Sequence, residues 1–382
     1  MPKRRRKRRT AATITPSHKL RESPRAPLRD TSLSRFLLVV YVLLVAYATL
    51  HPLSGWRDPG GPAFAFLAAS WPRYVTAFDL VANFLGYAPF GLLCVLAVNS
   101  RLSGGAAVLL AAGAGAVLSL LLEGAQSFLP ARIPSNVYVL ANVAGAAMGA
   151  AAAAFLRSRL PGDGPLLRLR AQALEPGIAA DLGLALLALW LFAQLNPATL
   201  LFGSGDLRDL FAGAAGDLHQ AELFVSIEAA ITAANLTAVA LLASAGARTG
   251  APVRRLVASL LAVALAVKTF AFAVLMRAEN VLAWLTPGAL LGLAVGVVLA
   301  LVAMQLPRTA RLALSAVLLM AATVLVNVAP PNPYFSAMLN VWEQGHFLNF
   351  NGLTRLVSAA WPFVALGYLV YLAAVRVRDP LR

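Results

Sequence analysis

Carboxylates, carboxamides, a guanidinium and a hydroxyl stand at suggestive spacings between residues 79 and 149, inside or just beside stretches that are otherwise hydrocarbon. They are Asp79 and Asn83, Glu123 and Gln126, Arg132 and Ser135, and Asn142. Such groups can hold or move a proton, pair with a charged head group, or bond to one another. An acidic side chain in the middle of a membrane helix costs about 2.5–3.5 kcal/mol on insertion scales, so groups of this kind must find partners in protein, water or ligand. Residues four apart share a helix face, which places Asp79 over Asn83, and a spacing of three brings Glu123 to Gln126. Asn83, Glu123 and Asn142 each fall a few residues inside the outer ends of their spans, so the three converge on one depth. Arg132 and Ser135 lie in the short connection above them, where a guanidinium can descend to Glu123 or Asp79 or bind an anionic head group.

Two readings of this cluster stay open. In one, the polar groups only satisfy each other and hold small-residue helices together, as Gly145-Ala-Ala-Met-Gly149 and Gly113-Ala-Gly115 suit close packing. In the other they line a polar pocket for a ligand in the outer leaflet. Pro89, inside the second span, breaks the backbone ladder and frees a carbonyl that must be bonded elsewhere or line a cavity.

The elements that must position these groups are membrane spans. The chain is 59% hydrophobic and 13% charged, which excludes a water-soluble globular protein. A span needs roughly 20 apolar residues, and ten stretches qualify: 35–53, 78–98, 105–129, 137–156, 178–196, 220–246, 256–276, 281–305, 312–329 and 356–374. The expected fold is therefore all-α, a polytopic helical bundle of about ten spans. Most of the 32 Lys and Arg fall on the side of the basic first segment, which predicts both termini on the cytoplasmic side of the membrane. The net charge of +16 thus reports orientation rather than nucleic-acid binding.

Residues 1–34 read as a disordered basic cytoplasmic tail able to lie on anionic lipid, and 375–382 as a second short tail. A stretch rich in Arg, Pro and Gly at 157–177 reads as a cytoplasmic linker between a four-helix membrane domain, 35–156, and a six-helix one, 178–374. Asp79-x3-Asn83-x2-Gly86 in the second span also matches Tyr138-x3-Asn142-x2-Gly145 in the fourth, a parallel repeat.

The ordered set Asp79-x3-Asn83-x5-Pro89-x-Gly91, Glu123-x2-Gln126, Arg132-x2-Ser135 and Asn142-x2-Gly145 resembles the VanZ-like family of bacterial membrane proteins over residues 35–156. In that family an aspartate usually stands four residues before the asparagine, where this chain has Tyr138. The family is named for a glycopeptide-resistance protein associated with teicoplanin. The resemblance implies a four-span membrane fold and a cell-envelope role, and supplies no reaction.

The leading expectation is a protein that binds an amphipathic or lipid-linked ligand at the polar pocket and alters glycopeptide susceptibility. The alternatives are an enzyme using Asp79 or Glu123 as general base on a lipid head group, with Arg132 holding the anion, and a transporter not driven by ATP. No His-Glu-x-x-His, phosphate-cradling glycine loop or Gly-x-Ser-x-Gly elbow occurs, so neither a cofactor nor a metal is expected. In the second half, Asp181 reads as a helix cap, and Glu228 and Lys268, at equal depth in neighbouring spans, as an intramembrane ion pair. The segments 197–219 and 330–354, with Asp206, Asp209, Asp217, His219, Glu343 and His346, read as an outer lid. Cys94, the single cysteine, reads as packing.

Overall fold

Helix boundaries follow the breakers in the sequence. The computed structural model describes residues 32–71, 75–98, 104–159, 165–208, 221–276, 281–329 and 348–378, and among these it is all-helical apart from an isolated bridge between Leu174 and Ala247. Helix α1 (Leu33–Leu50) stops before Pro52, and α2 (Ala77–Ala97) starts on a Thr76 cap. The next two are α3 (Gly105–Gln126) and α4 (Asn136–Arg159). Helix α5 (Pro165–Ala173) lies in the stretch expected as linker, and α6 (Ile178–Ala193) follows Gly177, at φ 139°. Then come α7 (Ala221–Ala245), α8 (Val253–Leu275), α9 (Pro287–Ala303), α10 (Arg308–Val328) and α11 (Leu348–Arg378).

Eight of these helices are long and apolar enough to cross a membrane, and they correspond to eight of the ten expected spans. The other two, α6 and α9, are shorter, at 16 and 17 residues. At 1.5 Å per residue each rises about 25 Å, less than the roughly 30 Å of a hydrocarbon core. Helix α9 starts late because Thr286 caps the amide of Ala289 and Pro287, lacking an N–H, suits the first turn. Beyond α6 the chain continues as coil, and residues 201–205 are buried in protein. Non-helical backbone at membrane depth is tolerated in such a setting.

Glycines set the closest helix approaches. A Cβ at Gly145 or Gly149 of α4 would lie 2.0 Å from the Phe84 carbonyl oxygen and 1.8 Å from that of Ala88, and one at Gly91 of α2 would lie 1.9 Å from that of Ala146. Helices α2 and α4 therefore touch backbone to backbone, the arrangement small residues permit in membranes. A similar stripe, Gly288, Gly292 and Gly296, lays α9 onto α7. One buried cluster joins Tyr87, Phe90, Cys94, Ala111, Ala146 and Ala150 of α2–α4. A larger one gathers side chains of α6–α11 around Trp190, Leu236, Phe272 and Trp361.

Asp181, expected as a cap, stands in the first turn of α6 but makes no side-chain cap bond to that helix, whose N-cap is Gly177. Its carboxylate accepts from Ser32 Oγ at 2.6 Å and the Leu33 amide at 3.1 Å, and it pairs with Arg170. One acid thus fastens the start of α1 to α5 and α6.

Candidate functional site

The end of the bundle where α1 and α3 finish and α2 and α4 begin holds a cavity of about 780 Å³, within the range of small-molecule sites. Its polar wall comes from the first four helices and carries Asp79, Asn83, Glu123, Gln126, Arg132 and Asn142. Its facing wall is apolar and comes from later helices, with Phe192 of α6, Phe270 and Val274 of α8, and Phe350 and Leu353 of α11. Phe78, Ile133, Phe270 and Val274 are all exposed at its margin, so the mouth opens sideways between apolar surfaces.

Each polar group is held by local structure. Thr76 and Asp79 form a reciprocal cap, in which the Thr76 hydroxyl donates to Asp79 Oδ2 at 2.7 Å and accepts from the Asp79 amide at 3.1 Å. One turn on, Asn83 Nδ2 donates to the Asp79 carbonyl at 2.8 Å. Glu123 is 3% exposed, and its Oε2 accepts the Ser135 amide at 2.9 Å across the α3–α4 connection. Gln126 Nε2 reaches the Thr49 carbonyl of α1 at 2.9 Å. Asn142 Nδ2 donates to the buried Ser119 hydroxyl at 2.9 Å, while its Oδ1 is buried without a hydrogen-bond partner.

Arg132 Nε donates to the His51 carbonyl at 2.9 Å, and an Arg132 terminal nitrogen donates to the same oxygen, so the guanidinium is tied to the end of α1. Burial holds the Arg132 pKa below its ordinary value, and burial followed by the Arg132 charge lowers that of His51. Tyr41 Oη donates to the Gly86 carbonyl at 2.7 Å, one residue past Leu85, whose carbonyl Pro89 leaves without an intrahelical donor.

Of the seven residues expected to bind ligand, six line the cavity. Ser135 does not; its hydroxyl accepts from the Val137 amide at 3.2 Å as a cap of α4, and only its backbone reaches Glu123. Tyr138 stands in the wall with Asn142, and Asp79 with Asn83, so the two copies of the repeat face one space. The copies are unequal at their glycines: Gly145 meets Phe84, whereas a Cβ at Gly86 would have no atom within 4 Å.

The expected Glu228–Lys268 ion pair is absent; among the described residues ion pairs join Arg170 to Asp181 and Arg208 to Asp206. Lys268 Nζ instead donates to the carbonyls of Asn196 at 2.7 Å and Thr199 at 2.8 Å and to Thr199 Oγ1 at 3.2 Å. An ammonium has three donors, and the coil after α6 supplies three acceptors. Glu228 turns to the start of α9, beside Thr286 and Gly288, where a helix N-terminus favours negative charge. Counting residues from the span ends suggested a pair, but the rotation of two largely apolar helices is not set by such counting.

The lid segments fall largely outside the described residues, Asp209, Asp217, His219, Glu343 and His346 among them. Asp206 is described and pairs with Arg208. Among the described residues no three His, Cys, Asp or Glu gather as metal ligands. Sequence reasoning missed the apolar wall, since Phe192 or Phe270 in an apolar span carries no mark. It also missed Tyr41, whose isolated hydroxyl in α1 was the available signal.

A bundle of apolar helices enclosing a half-polar cavity defines a multi-pass membrane protein. Residues 36–157 of the 382-residue chain match the VanZ/LLP1 family. That stretch is VanZ-like and contains the whole polar wall. Comparison with curated proteins and with solved structures finds no match.

Proposed function

We propose that this protein binds an amphipathic or lipid-linked ligand of the cell envelope in the cavity between its VanZ-like helices and the later ones. The observation that carries the reading is the cavity's division into a polar wall on α2, α3 and α4 and an aromatic and aliphatic wall on α6, α8 and α11. A ligand with a polar head and an apolar body matches both surfaces, and the exposed apolar margin suits entry from the bilayer. The distribution of basic residues supports an inner-membrane protein with cytoplasmic termini, which puts the cavity in the outer leaflet.

By the resemblance of residues 36–157, occupancy of the site alters susceptibility to envelope-directed glycopeptides such as teicoplanin. The test is the susceptibility of cells expressing the wild type or Glu123→Ala, Arg132→Ala or Asn142→Ala at equal membrane abundance. Loss of the phenotype in the variants is expected, and an unchanged phenotype in all three refutes the proposal. A transporter not driven by ATP is the second reading, favoured by the buried coil that follows α6 and is clamped by Lys268. Uptake of a labelled ligand into sealed vesicles separates transport from binding alone.

A further inference from the structure

The polar wall presents acceptors. Each of its three carboxamides gives an N–H to the protein: Asn83 to the Asp79 carbonyl, Gln126 to the Thr49 carbonyl and Asn142 to the Ser119 hydroxyl. Two of these partners are backbone carbonyls, which only a nitrogen can satisfy, so the orientation of Asn83 and Gln126 is fixed by chemistry. Their oxygens receive no hydrogen bond from the described residues. Asn142 Oδ1 is unpartnered and buried in a residue 2% exposed. Glu123 accepts one bond, from the Ser135 amide to Oε2, and Asp79 adds a second carboxylate to the same wall. The residues that carry these three amide oxygens and two carboxylates line one cavity, in which Arg132, bonded to the His51 carbonyl, is the one guanidinium among the described lining residues. A carboxylate or amide oxygen left without a donor when a ligand fills the cavity costs about 1–3 kcal/mol, which a head group that donates avoids.

From two carboxylates and three carboxamide oxygens set against a single guanidinium we infer that the site selects a lipid by the hydrogen-bond donors of its head group, hydroxyls of a sugar or the N–H groups of an ammonium. The inference rests on the amphipathic-ligand reading and adds to it the chemistry of the head. A head without O–H or N–H, such as choline, leaves the side-chain oxygens of Asn83, Glu123 and Gln126 unmet however well its tails fit the opposite wall.

The test uses the full chain in nanodiscs with three photoreactive lipids that share acyl chains bearing a diazirine and differ in head group: glucosyl-diacylglycerol, phosphatidylethanolamine and phosphatidylcholine. Labelling at Phe192, Phe270 and Phe350 is read by peptide mass spectrometry. We expect the glucosyl lipid, the ethanolamine lipid or both to label this wall at least about tenfold more than the choline lipid. Glu123→Gln, which keeps an acceptor and removes the charge, then separates the sources: a sugar preference persists within about threefold, and an ammonium preference falls about tenfold. Equal labelling by all three lipids, or a choline preference, overturns the head-group inference and leaves the ligand reading standing. No labelling of this wall by any lipid overturns both. The comparison among lipids is made on the wild-type chain, so a variant that fails to fold does not remove it.

Discussion

Placing a methyl group at Gly145 tests whether backbone contact between α2 and α4 builds the polar wall. In Gly145→Ala the new Cβ lies 2.0 Å from the Phe84 carbonyl oxygen and 2.8 Å from its carbon, against ordinary contact from 3.4 Å. The helices must part by about 1.4 Å at this point, and overpacking of that kind costs about 1–3 kcal/mol. The repeat supplies an internal control, because a Cβ at Gly86 has nothing within 4 Å. There Gly86→Ala keeps only the gain in helix propensity, up to about 1 kcal/mol. Asn83 and Asn142 stand close to the contact in sequence, one residue before Phe84 and three before Gly145, so the separation also displaces two groups of the wall. The assay is thermal unfolding of the purified chain in detergent, followed by size-exclusion of the surviving fraction. Gly145→Ala is expected to unfold at lower temperature than wild type, and Gly86→Ala at the same or a higher one. If Gly145→Ala is as stable as Gly86→Ala, the backbone contact does not hold the helices and the reasoning fails.

Two further perturbations test other parts of the structure. Lys268→Met strips the ammonium from the Asn196 and Thr199 carbonyls and is expected to destabilise the fold by about 1.5–3 kcal/mol, the worth of a hydrogen-bonded charge. Because Lys268 is not paired with Glu228, combining it with Glu228→Gln should be additive within about 0.5 kcal/mol in unfolding measurements; coupling well above that restores the ion pair. At His51, burial and then the Arg132 charge depress the folded pKa below 6.5, so the unfolded chain takes up a proton more readily than the folded one. Stability present above pH 6.5 is therefore lost as pH falls toward the folded value. His51→Gln should lose less stability than wild type between about pH 7.5 and about pH 5.5, and equal losses in unfolding temperature would refute the assignment.

Amino-acid types along the chain determined that it folds as membrane helices, because apolar runs of span length punctuated by Pro and Gly have few other outcomes. They also determined which first-half groups would gather. Asp79, Glu123, Gln126 and Asn142 are expensive alone in hydrocarbon, and their similar distance from the ends of adjacent helices left one depth at which to meet. The glycines of Gly145-Ala-Ala-Met-Gly149 were legible as a packing face for the same kind of reason, since absence of a side chain is itself a signal.

Tertiary structure decided what depends on rotation about a helix axis. Lys268 and Glu228, expected at matching depth, face different partners, because helices apolar all round carry no sequence mark of which side looks inward. Ser135 turned out to cap α4 and lend its amide to Glu123, since a hydroxyl in a turn competes for nearby backbone amides before any ligand does. The apolar half of the cavity belongs to helices far away in sequence, and Phe192, Phe270 and Phe350 became a wall only when α6, α8 and α11 closed against the first four spans. Polar residues announce themselves in an apolar chain because their burial must be compensated locally; apolar ones gain their meaning from whatever packs beside them, which only the folded chain specifies.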